Sequence, residues 1–173
     1  MKKITLILIS VIMLFSACEK QTDNSAEESI QTQIDPAEEF GGVLFGMTKE
    51  EVISVIDREP DYTYADGNSI RYKRQVFFNV AIDHIDYDFD ENGNLDYIYI
   101  MCLYKSAKEQ MPIDLDRIKE ELSKRYPEYP ESISTYIHEN NEEQILRTPN
   151  RYISLRIYDD AFTLSITTRD ESE

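Results

Sequence analysis

The residues best placed to do chemistry in this chain are carboxylates at short, regular spacing. The run Asp88-Phe89-Asp90-Glu91-Asn92-Gly93-Asn94-Leu95-Asp96 offers Asp88, Asp90, Asn92 and Asp96 as oxygen donors, with Gly93 where a calcium loop turns sharply. The bidentate Glu such a loop needs at its last position is replaced by Tyr99. The flanks alternate like strands rather than helices. Asp and Asn around a left-handed Gly are also what a hairpin turn requires, so the expectation is a hairpin and no metal site. Calcium or ligand sensing by this loop is the alternative. His84, Asp86 and Asp88 follow at spacing two, which projects them from one strand face. A solvated strand face is the simpler reading of that alternation.

Catalysis finds little support in residue types or motifs. There is no Gly-x-Ser-x-Gly elbow, no His-Glu-x-x-His, and five Gly in all, none in a phosphate-cradling loop. His138 has no identifiable base or nucleophile beside it, and Cys102, inside an apolar run, reads as an inert core thiol. The chain is therefore read as noncatalytic and without a cofactor, an envelope hydrolase being the third and weakest reading. Aromatic residues say more. The chain has no Trp but 12 Tyr, seven of them between Tyr62 and Tyr104. Tyr62, Tyr64 and Tyr72 have polar neighbours in strands, where an amphipathic ring suits a protein interface. They are the candidate partner-binding residues.

One cysteine carries chemistry of a different kind. Met1-Lys2-Lys3 followed by the apolar run Ile4 to Phe15 has signal-peptide form and is shorter than the roughly 20 residues a membrane span needs. It ends in Leu14-Phe15-Ser16-Ala17-Cys18, which resembles the lipobox of bacterial lipoproteins, with Phe15 where Leu or Val is usual. Residues 1–17 are thus expected to be removed and Cys18 to become the lipidated first residue. Two or more acyl chains then hold the protein stably to a membrane. The site is either the outer face of a cytoplasmic membrane or the periplasmic side of an outer membrane. Glu19 is not the Asp that retains lipoproteins at the inner membrane of two-membrane bacteria.

Composition fits that placement. The 18 basic and 34 acidic residues give a net charge of −16, and loss of Lys2 and Lys3 with the signal leaves −18. Phosphate recognition runs on clustered Lys and Arg, so nucleic acid is excluded as the partner class. Residues 18–39 are polar and without apolar period, a disordered tether averaging roughly 25 Å end to end. With Cys18 acylated, Cys102 is the one remaining thiol, so no disulfide within the chain can stabilise the domain and its core must do so.

The elements that position these residues follow from period and caps. Thr48-Lys49-Glu50-Glu51 is a capping box, Met47 is placed to staple onto Val52, and Val52, Ile53, Val55 and Ile56 give the first helix an apolar face. Pro60 ends it near Arg58. From Tyr62 to Tyr104 the period is two, with turns at Gly67-Asn68 and Asp90 to Gly93. The run Leu95 to Cys102 is apolar on both faces and reads as a central strand covered on both sides. A second helix follows, with Asp114 as N-cap, an Ile113 to Ile118 staple, Leu115, Ile118 and Leu122 inward, and Pro127 as its stop. Short strands are expected at 132–138, 143–148, 152–158 and 161–168. The fold class is α+β: a tandem repeat of one helix plus antiparallel strands, the helices packed on an antiparallel sheet. One domain spans 40–170, with repeats at 40–105 and 106–170.

Phe45-Gly46-Met47-Thr48-Lys49-Glu50-Glu51-Val52, together with Glu59-Pro60-Asp61 and the turn Phe89 to Leu95, resembles the SmpA/OmlA family of envelope lipoproteins. That family's fold is similar to β-lactamase inhibitory protein. Its helix-ending Gly falls at Arg58 in this chain, so another exit from the helix is needed. The resemblance implies noncatalytic protein binding at an envelope surface. The expected partners are a protein there and the membrane, through the lipid on Cys18.

Overall fold

The computed structural model describes residues 38–129 and 131–168. The expected signal, Cys18 and the expected tether as far as residue 37 lie outside the described residues. The described residues begin with β1 (Glu38–Phe40) and β2 (Val43–Leu44), a two-stranded antiparallel ribbon.

The first helix, α1 (Lys49–Ile56), starts where its cap predicts. The Glu51 amide donates to Thr48 Oγ1 at 3.4 Å, and the Thr48 amide donates back to Glu51 Oε2 at 2.8 Å. At the other end Asp57 itself takes the left-handed conformation, φ 53°, one residue before the position expected for glycine. Val52 is buried, with Ile53 and Ile56 packed against the core, but Val55 points to solvent.

Eight strands form one antiparallel sheet in the order β3-β4-β5-β6-β10-β9-β8-β7. They are β3 (Tyr62–Thr63), β4 (Ser69–Phe77), β5 (Val80–Phe89), β6 (Leu95–Leu103), β7 (Ser134–Ile137), β8 (Glu142–Arg147), β9 (Tyr152–Ile157) and β10 (Ala161–Thr167). With two helices and this sheet the fold is α+β. The Asp90 turn is a hairpin as expected, its Asp90 Oδ1 accepting from the Asn92 and Asn94 amides at 2.9 Å each. Gly93 sits at φ 81°, open to residues without a Cβ penalty. A glycine-free hairpin that was not expected joins β4 to β5 through Phe78 and Asn79, both left-handed at φ 50° and 58°. That is the geometry of a two-residue primed turn.

Period two divides the sheet into an apolar and a polar face. Tyr72, Ile85, Ile100, Leu164, Leu155 and Gln144 stand side by side across six strands on the apolar face. Val52 of α1 and Ile118 and Leu122 of the second helix join that cluster. Gln144, its one polar member, accepts a hydrogen bond from the Tyr129 hydroxyl at 3.1 Å. The strand β6 is central, but only one of its faces is fully buried; Tyr97, Tyr99 and Met101 on the other are half-buried.

The second helix, α2 (Met111–Arg125), is capped four residues before the expected Asp114. Its N-cap is Gln110, without a side-chain cap, and Pro112 supplies the fixed φ of a first turn. Asp114 is instead a buried anchor, accepting from the Tyr104 hydroxyl at 3.1 Å, Gln110 Nε2 at 3.0 Å and Arg117 Nη1 at 2.9 Å. Ile113 is exposed, so there is no staple to Ile118, and Leu115 is half-buried against the core. Among the described residues no helix is long and apolar enough to cross a membrane.

Candidate functional site

Two buried carboxylates organise the polar face, and strand register brings each its cation. Arg71 on β4 lies opposite Asp86 on β5. Arg71 Nε and Nη2 donate to Asp86 Oδ1 and Oδ2 at 2.6 Å each, a bidentate pair with Asp86 only 7% exposed. The Tyr64 hydroxyl adds a third donor to Asp86 Oδ2 at 3.3 Å, and the Arg71 guanidinium lies 5.5 Å from the centre of the Tyr64 ring. Hydrogen bonding to Asp86 lifts the Arg71 pKa above its ordinary value. Tyr62 meets Tyr64 edge to face at 5.0 Å and keeps half its surface in solvent, at 52%.

His84, two residues along β5, faces Lys73 on one side and Met101 on the other. Its Nε2 is 4.0 Å from Asp86 Oδ2, too far for a hydrogen bond. Burial, with Arg71 second, holds the imidazole pKa below its ordinary value, so it is neutral at pH 7. Asp88 behaves in the opposite sense to a paired carboxylate. Burial, with Asp86, Asp96 and Asp66 nearby, raises its pKa although the Ser69 hydroxyl donates to it. Asp88, Asp66 and Asp96 line an open depression with Asn68, Ser69 and Tyr97. Among the described residues no group of three or more His, Cys, Asp or Glu comes together to hold a metal ion. Of the loop residues offered by the sequence, Asp90 commits Oδ1 to its own turn, and Asn92 is exposed.

The second carboxylate was missed in the sequence. Glu143 on β8 lies opposite Arg156 on β9 and is 8% exposed. It accepts from Ser154 Oγ at 2.6 Å and Arg156 Nε at 2.8 Å, while His138 Nε2 stands 3.4 Å from its other oxygen. Burial alone would raise its pKa, but the Ser154 hydroxyl and the Arg156 guanidinium outweigh burial and hold it below the usual range. His138 thus has the partner that its sequence neighbours hid. The signal available was the spacing of Glu143 and Ile145 against Ser154 and Arg156, which becomes informative only once the β8–β9 register is known.

Of the three candidate tyrosines, the fold brings Tyr62 and Tyr64 together and sends Tyr72 the other way. Tyr72 is fully buried on the apolar face, edge-on to Tyr87 at 6.0 Å, and its hydroxyl donates to the Arg58 carbonyl at 2.9 Å. It is a core residue and cannot touch a partner on the polar face. Cys102 is also fully buried, and burial pushes its thiol pKa up, which leaves it protonated. Chemically the polar face carries two internally satisfied arginine–carboxylate pairs and presents the Tyr62 and Tyr64 rings at one end. Comparisons of the chain with protein-family models, with curated proteins and with solved structures return no match.

Proposed function

We propose that this chain is a lipid-anchored, noncatalytic protein-binding module that meets a partner at the cell envelope through the Tyr62 end of its polar sheet face. The observation that carries the reading is the exposed Tyr62 ring seated on Tyr64, itself held by the bidentate Arg71–Asp86 pair. Rigid amphipathic rings with prepaid ordering are what interface anchors are made of. The anchor is Cys18, whose acyl chains put the acidic body within reach of a membrane-bound partner.

The two halves are copies of one helix plus an antiparallel meander in this reading. Strand order supports it, since β3-β4-β5-β6 is followed across the sheet by β10-β9-β8-β7, each half ending on its last strand at the centre. The carboxylate pairs support it too, each joining neighbouring strands within one half. Both helices contribute to the cluster on the apolar face, which favours packing on that side and leaves the other for a partner. Such an arrangement, with the Phe45 to Val52 segment hydrogen-bonded to the Leu95 end of the hairpin, is compatible with membership of the SmpA/OmlA family.

The test is site-specific photocrosslinking of the full chain in cells. A photoreactive residue at Tyr62 is expected to give one discrete protein adduct in the membrane fraction, and one at exposed Ile113 on α2 none. Equal labelling from both positions, or none from Tyr62, refutes the reading. Cys18→Ser separately tests the anchor by moving the chain out of the membrane fraction.

A further inference from the structure

The strand β7 is the last described strand of the sheet at the end opposite Tyr62, and among the described residues its outer edge is unpaired. Its hairpin with β8 is closed by the His138 amide donating to the Asn141 carbonyl at 2.9 Å. Antiparallel ladders alternate from that pair, so Tyr136 and Ser134 turn their backbone groups toward Glu143 and Ile145. The N–H and C=O of Thr135 and Ile137 therefore point away from the sheet. Among the described residues no strand pairs there. All four residues are exposed, Tyr136 at 46% and Ile137 at 75%, and the strand contains neither charge nor proline. Proteins usually blunt such an edge with lysine, proline, a bulge or brevity. The opposite edge is blunted by brevity, since β3 has two residues.

We propose that the β7 edge takes up an extended segment of a partner protein, rich in lysine or arginine, as an added strand. The outward backbone groups of Thr135 and Ile137 supply the main-chain hydrogen bonds, and exposed Ile137 and Tyr136 offer contacts on opposite faces. Charge chooses the occupant. Glu131 and Glu139, both exposed, bracket the strand, and Glu142 lies across the register from Ile137. A basic strand laid along this edge finds a carboxylate at each end. A second copy brings the same carboxylates to the same edge, where like charges across a strand pair destabilise it. The inference is independent of the Tyr62 surface, which lies at the far end of the sheet.

The experiment uses the full chain and a labelled synthetic peptide of about ten residues, a typical long strand, alternating lysine and valine. Fluorescence anisotropy is expected to saturate. Amide hydrogen exchange should slow at Thr135 and Ile137 while Ser134 and Tyr136, already paired to β8, stay unchanged. Ile137→Pro removes an outward N–H without touching the β7–β8 ladder and should abolish binding. Glu131→Lys with Glu139→Lys, which leaves the backbone intact, should weaken it on the order of tenfold, and a peptide with glutamate in place of lysine should not bind. The proposal is overturned by no saturation, or by binding that leaves the Thr135 and Ile137 amides fast or is indifferent to the charge reversals. It is equally overturned if those amides become protected without peptide in a concentration-dependent dimer.

Discussion

Asp88 and Glu143 are both carboxylates on the polar face of one sheet, yet their neighbours push them in opposite directions. Asp88, desolvated among other acids, has a pKa raised above 3.8, so its contribution to stability is full below that value and is lost as pH rises through the raised one. Glu143, held by Ser154 and Arg156, has a pKa lowered below 4.5; its contribution is present above 4.5 and is lost as pH falls through the lowered value. Asp88→Asn should therefore stabilise the protein at pH 7, by less than about 1 kcal/mol because the site is partly open to water. That gain should vanish by pH 3, and Glu143→Gln should show the reverse, destabilising at pH 7 and little at low pH. Urea titrations at the two pH values measure both, and parallel pH curves for the two variants would refute the assignment. The same scale shows what the sequence can hide. Tyr62, Tyr64 and Tyr72 share residue type and even spacing, but Tyr62 pairs with Arg71, which puts Tyr72 on the opposite face. Turn length sets that register, and side-chain alternation alone does not.

At the scale of elements, legibility tracked local chemistry. The start of α1 could be read because Thr48 and Glu51 satisfy each other's amides within four residues. The start of α2 could not, because Asp114, a good cap by type, is spent on Tyr104 at the end of β6, a contact ten positions away. The Phe78-Asn79 hairpin was invisible for a related reason: the usual Asn-Gly or Asp-Gly mark is absent. There the Phe78 ring is held against Phe77 at 3.8 Å and under the Arg125 guanidinium at 4.7 Å. Tertiary contacts therefore help hold a conformation its residue type disfavours. The two ends of α1 give a paired prediction. Thr48→Ala should cost about 1 kcal/mol by removing the cap. Asp57→Gly should gain about 0.5 kcal/mol by relieving the left-handed φ, less the entropy glycine loses on folding. Thermal melts decide it, and two shifts of the same sign would show that the αL residue is not strained.

For the whole molecule, the decisive pairing is the one between β6 and β10, which joins the strands β3–β6, one half of the sheet, to the strands β7–β10, the other. β6 and β10 run side by side for seven matched pairs, from Ala161 opposite Leu103 to Thr167 opposite Tyr97. The apolar rows cross this seam without a break, as Ile100 faces Leu164 and Ile98 faces Ile166, all within about a percent of complete burial. A core continuous across the seam couples the halves, so they should unfold together rather than one after the other. Leu164→Ala cuts the row at its middle and should cost about 2–5 kcal/mol, since a fully buried leucine leaves both its transfer energy and a cavity behind. The informative readout is native-state hydrogen exchange. Amides of β5 in one half and β9 in the other should lose protection by the same free energy, because each now opens through the same global transition. If the β9 amides fell while β5 stayed protected, the halves would be independent units joined by a ladder of hydrogen bonds alone.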